Sequence, residues 1–192
     1  MADYQSVAAT TVPLTLAECK RHLNVSSTAD DTLLTEYIKA ATAMLQKRCR
    51  RAFIHETRIT KMRGFDDPRY VFDRQVVLPY SPLSSVSSIK YVASSGTTTT
   101  LPTSDYIVSA NDRPGRISEA YSATWPDCRD FENNVTITYI AGHTSSSTGV
   151  PNNIKQALRH VVGEWYRNRE MTPINWDVAG ALLESEAIEQ YG

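Results

Sequence analysis

Residues 150–170 read V-P-N-N-I-K-Q-A-L-R-H-V-V-G-E-W-Y-R-N-R-E. Ile154, Ala157, Leu158, Val161, Val162, Trp165 and Tyr166 recur at helical spacing and put a wide apolar stripe on a helix that Pro151 opens. The other face, Lys155, Arg159, His160, Glu164 and Arg167, reads as a wet surface, with His160 and Glu164 as a solvated i,i+4 pair. The segment is a structural beam and carries no reactive set.

Upstream, residues 54–141 change to period two. Strands are expected at Ile54–Met62, Val76–Leu78, Ser88–Val92, Asp105–Ser109, Arg116–Ser118 and Val135–Ile140. Ser94-Ser95-Gly96 should reverse the chain. Arg113-Pro114-Gly115-Arg116 suits a type II turn with glycine at positive φ. Further upstream, Thr15-Leu16-Ala17-Glu18 is a capping box, flanked by Leu14 and Cys19 at the staple positions. After the Asp30-Asp31 cap, Leu33, Leu34, Tyr37, Ile38, Ala41, Met44 and Leu45 give a second long helix its buried stripe. The expected fold class is α+β. It is a small antiparallel helical bundle of three main helices (15–23, 31–50 and 151–169) plus a C-terminal helical segment, with an antiparallel β meander inserted at 54–141. Residues 1–13 read as an extended arm, 14–170 as a single domain and 171–192 as a separate terminal segment.

The chain has 192 residues, enough for one domain or one with an insertion, and a net charge of −1 that gives no global pull toward nucleic acid or membrane. The local balance is uneven. Met44–Arg74 holds nine Lys or Arg against four acids, whereas 171–192 holds four acids and no Lys or Arg. Lys47, Arg48, Arg50 and Arg51 complement the negative end of a helix dipole, and they are also the candidate contact for DNA or an acidic partner. The aromatic interleaving that stacks bases is missing.

Three dispersed cysteines (19, 49 and 128) suggest a reducing compartment. No signal peptide and no run of membrane-spanning length is visible. The four histidines lack ligand-spaced neighbours, and no nucleophile or phosphate-loop motif is found, so no metal, cofactor or catalytic residue is expected. In the terminal segment Trp176, Val178, Leu182, Leu183 and Ile188 form an apolar face. Burying them contributes roughly 8–15 kcal/mol, less than the roughly 16–32 kcal/mol of backbone ordering. The segment therefore needs a partner surface, on its own domain or on another subunit, and its acids and the preceding Pro173 favour another subunit.

An ordered series of motifs resembles the small head–tail connector (adaptor) proteins of tailed bacteriophages and gene-transfer agents. It runs Leu14–Leu23, Asp30-Asp31, Arg48-Cys49-Arg50-Arg51-Ala52-Phe53, Leu78-Pro79-Tyr80-Ser81-Pro82-Leu83, Val86–Tyr91, Asp105-Tyr106-Ile107-Val108, Pro114-Gly115-Arg116-Ile117, Trp125-Pro126-Asp127, Val135–Tyr139, Ala141-Gly142 and Val150–Glu170. The chain departs from the family at Cys49-Arg50-Arg51, where a small residue is usual, and follows no family pattern after Glu170.

The resemblance implies a structural virion protein, not an enzyme, without cofactors. It implies a cyclic ring, commonly a dodecamer, between the portal protein and the tail-side neck or tail-completion proteins, with packaged DNA passing through the lumen and no membrane. The ring closes the filled head and attaches the tail. The protein resides in the virion neck, and in the host cytoplasm before assembly. Trp176, Val178, Leu182, Leu183 and Ile188 become the portal-docking residues. A head-completion or tail-terminator plug of the same neck, and a nucleic-acid-binding accessory protein, are the alternatives.

Overall fold

The computed structural model describes residues 2–7, 9–169 and 176–183. The chain forms two compact units, each assembled from two separate stretches of sequence. One combines the N-terminal eight residues with 55–142, and the other combines 9–54 with 143–192.

The helical unit holds α1 (Leu16–Leu23), α2 (Asp31–Cys49), α3 (Asn152–Asn168) and α4 (Trp176–Leu183). Helix α1 starts at the expected capping box. The Thr15 hydroxyl accepts from the Glu18 amide at 3.2 Å, and Glu18 Oε2 accepts from the Thr15 amide at 2.9 Å. Leu14 and Cys19 are both buried in the core. Helix α2 contributes Leu34, Ile38, Ala41, Leu45 and Cys49, and α3 contributes Ile154, Ala157, Leu158, Val161, Val162 and Trp165. Tyr37 meets Trp165 edge-to-face, with ring centroids 5.8 Å apart. Asp30 precedes α2 but does not cap it with its side chain. Its carboxylate instead accepts from the Tyr166 hydroxyl at 2.7 Å and so ties α2 to α3.

The β unit corrects the expected architecture. The chain is an α+β fold with two antiparallel sheets, and it is not a helical bundle carrying an inserted meander. The strands are β1 (Ala2–Val7), β2 (Glu56–Met62), β3 (Val71–Phe72), β4 (Gln75–Val77), β5 (Leu83–Val92), β6 (Thr98–Thr100), β7 (Tyr106–Ser109), β8 (Arg116–Glu119) and β9 (Val135–Ala141). A meander pairs strands in chain order. Here the first sheet runs β1-β2-β9-β5-β6 and the second β3-β4-β8-β7. The reason lies in β9, where Val135, Ile137, Tyr139 and Ala141 are all fully buried. The strand with the most apolar inner face takes the centre of the sheet, between β2 and β5, and threonine-rich β6 takes one edge. Strand β1, drawn from the N-terminal arm, takes the other edge by pairing with β2.

The turns divide in the same way. Gly96 has φ of 88°, and its amide donates to the Ala93 carbonyl at 2.8 Å, closing the expected reversal. The 113–116 turn is not type II: the Arg113–Pro114 bond is cis, and Gly115 lies outside the positive-φ region. Glycine is needed there for room, because a Cβ on Gly115 would sit 2.5 Å from Leu83 Cβ.

Candidate interaction surfaces

The terminal segment begins as α4, which packs on α3 within the helical unit. Ala179 and Leu183 are buried in the same cluster as the α3 stripe, with Trp176 and Leu182 partly buried against it. Val178 remains 41% exposed. Ile188 lies outside the described residues.

The four basic residues after Met44 do not form one exposed patch. Lys47 is exposed, and the Arg48 guanidinium lies over the Trp176 ring, 4.2 Å from its centroid. Arg50 is the left-handed C-cap of α2, with φ of 51°. Arg51 is only 1% exposed. The basic residues further along are also engaged. Arg58 is buried beside Glu56 and over the Tyr80 ring, Arg63 forms a two-pronged pair with Asp130, and Arg69 pairs with Asp67 at 2.7 Å. The beam helix likewise departs from its expected wet face at Lys155. This residue is 6% exposed, with Nζ 2.8 Å from Glu18 Oε1. Glu164 approaches Arg167 at 3.5 Å, and His160 Nε2 is buried without a hydrogen-bond partner among the described residues.

The β unit carries surfaces that the sequence reading missed. In the second sheet Val76 and Ile117 face inward, fully buried. By register Phe72, Gln75, Val77, Arg116 and Ile107 share the opposite face, on which Phe72 is 61% and Ile107 52% exposed. Beside this sheet lies a groove of about 480 Å³ whose lining includes Phe65, Val71, Arg74, Trp125 and Asp127. Phe65 and Trp125 stack at 4.7 Å and 3° within it. Trp125 is fixed from two sides: its amide donates to the Glu119 carboxylate at 2.7 Å and its Nε1 to the Arg74 carbonyl at 3.1 Å. Tyr121, at the start of the loop that leads from β8 to Trp125, is fully exposed. A clue was present in the Tyr121–Trp125 spacing, two aromatics in a stretch that the alternation left as loop.

Among the described residues no group of three or more His, Cys, Asp or Glu could hold a metal ion. No helix among them is long and apolar enough to cross a membrane. Burial pushes the Cys19 thiol up to about 11 and also raises that of Cys128, so both stay protonated near neutral pH.

Comparison with known proteins finds a family match over part of the chain. Residues 13–91 match the model of the phage gp6-like head-tail connector protein family. The connector resemblance read from the sequence is thereby borne out over that stretch. No curated protein matches. Among solved structures, the chain is similar to one in the neck of an empty gene transfer agent particle (C6 symmetry), at 22% identity and a TM-score of 0.81. That match covers 100% of this chain and 98% of the other. It is also similar to chains of the native gene transfer agent virion and of the native neck (C12 symmetry), each at 23% identity, a TM-score of 0.79 and the same coverage. At this identity the likeness is one of fold, and it spans both units.

Proposed function

We propose that this protein is a structural component of a virion neck: a head-to-tail adaptor that forms a ring between the portal and the tail-side proteins. The observation that carries this reading is the full-length likeness in fold to neck chains, together with the connector-family match at 13–91. The symmetries of those necks support a ring of copies here. Such a ring closes through a heterologous interface, in which two different patches of each copy meet. The exposed Val178 side of α4, with the segment that follows it, is the surface offered to the portal. Phe72, Ile107 and Tyr121 of the β unit are offered to tail-side partners. DNA passes through the lumen; Lys47 and Arg48 are the exposed members of the basic cluster, while Arg51 is buried and withdrawn from it.

Cryo-electron microscopy of the assembled particle tests this. A ring of this chain directly beneath the portal is expected. Its density elsewhere in the particle, or absent from it, overturns the reading.

A further inference from the structure

A second groove, also about 480 Å³, lies in the helical unit. It is lined by His22 of α1, by Gln156, Arg159, His160, Gly163, Glu164 and Arg167 of α3, and by Leu182 of α4. Its charge is one-sided. Two arginines and two histidines face a single carboxylate, Glu164, which is held by Arg167 at 3.5 Å. The neighbouring lysines are already neutralised, Lys155 by Glu18 and Lys20 by Asp31. Arg159 has no ion-pair partner among the described residues. His160 Nε2 is a buried polar atom without a hydrogen-bond partner among the described residues, a condition folded proteins rarely leave standing.

We propose that this groove is the docking site of an acidic polypeptide segment of a partner protein, whose carboxylate is received by Arg159, Arg167 and His160 while its apolar neighbours lie on Gly163 and Leu182. Charge complementarity selects a carboxylate. The apolar floor and the Glu164 carboxylate select a peptide over the phosphates of DNA, which carry charge at every unit and nothing to place against Leu182. Gly163 keeps the floor open, because a Cβ there would reach only the Leu23 side chain, at 3.6 Å, and would fill the groove instead.

The charged groups around His22 give the site a signature. Burial first, then Arg159 and Arg167, hold the His22 pKa below its ordinary value of 6.5. Among the described residues α4 contributes only Leu182 to the lining, and Glu164 is the lining's one carboxylate. An arriving carboxylate favours the imidazolium and draws a proton onto His22. Affinity therefore rises as pH falls.

The experiment uses the full chain and a labelled short peptide of leucine and glutamate, with a leucine–glutamine peptide as its counterpart, read by fluorescence anisotropy. The glutamate peptide should bind about tenfold more tightly than the glutamine peptide, and the advantage should vanish in Arg159→Ala/Arg167→Ala. It should persist in Lys39→Ala/Lys90→Ala, which removes the same charge from exposed positions elsewhere. Lowering the pH from about 7.5 to about 5.5 should tighten binding to the wild type and leave His22→Gln/His160→Gln unchanged. Circular dichroism checks that each variant is folded. Equal binding of both peptides, unchanged binding in the arginine variant, a pH response retained in His22→Gln/His160→Gln, or displacement of the peptide by duplex DNA would each overturn the proposal.

Discussion

Lys155 Nζ lies 2.8 Å from Glu18 Oε1, so the carboxylate that completes the α1 capping box also receives the buried ammonium at the start of α3. One side chain thus fixes a helix end and joins two helices.

The Glu18 pKa records this double use. Burial alone would raise it, but hydrogen bonds from Lys155 and from the Thr15 amide and hydroxyl prevail and lower it from 4.5 to about 2. A depressed carboxylate stabilises the fold fully above its unfolded pKa, and the contribution disappears as pH falls from 4.5 toward 2. Lys155→Met leaves Glu18 charged without its partner and should destabilise the protein by about 2–3 kcal/mol at neutral pH. Urea midpoints measured across this range should show the gap between wild type and variant closing as Glu18 protonates.

Leu183 tests whether α4 belongs to its own unit's core. Leu183→Ala should lower stability by about 2–4 kcal/mol, whereas Val178→Ala should stay within about 0.5 kcal/mol. Denaturant titration distinguishes the two, and an unaffected Leu183→Ala would mean that α4 is not packed on α3.

Val178 should instead matter for assembly. Val178→Asp is expected to leave the helical circular dichroism unchanged and to prevent the protein from joining the portal. Mass measurement of the purified protein with and without portal reads this directly.

Two glycines should respond in opposite directions. Gly115→Ala drives a methyl group to within 2.5 Å of Leu83 and should destabilise the β unit by about 1–3 kcal/mol. Gly180 has nothing within 4 Å of an added Cβ and sits inside α4. Gly180→Ala should stabilise by about 0.5–1 kcal/mol. Thermal melts of both variants would settle the contrast.

What could be read from the sequence follows from how local each determinant is. The capping box, both long helices and the alternation of β2 and β9 are legible because their signals lie within a few residues. In both strands buried positions alternate strictly with half-buried ones. Strand β5 is less legible, because register shifts at Leu83/Ser85 and Val86/Ser88 break its alternation. Sheet order was not legible, since it depends on which distant strand has the most apolar face. Lys155 was misread because spacing places it beside the apolar stripe, and only the position of Glu18 in three dimensions decides that it is buried. A count of charges likewise does not show that, within the basic cluster, Arg51 turns inward while Lys47 and Arg48 stay exposed. The apolar terminal segment reads as needing a partner surface, with another subunit favoured; for Leu183 and Ala179 that surface is instead α3 of the same chain.

The threading of the chain also governs the timing of folding. Strand β2 pairs on one side with residues 2–7 and on the other with 135–141, and α2 must wait for 152–168 before its stripe is covered. Contacts this far apart in sequence slow the search for the native state. During synthesis neither half can close until the ribosome has passed most of the message. A premature stop within the β stretch would therefore leave a chain with neither unit complete, and a single cut there before folding would leave two fragments, neither of which contains a complete fold.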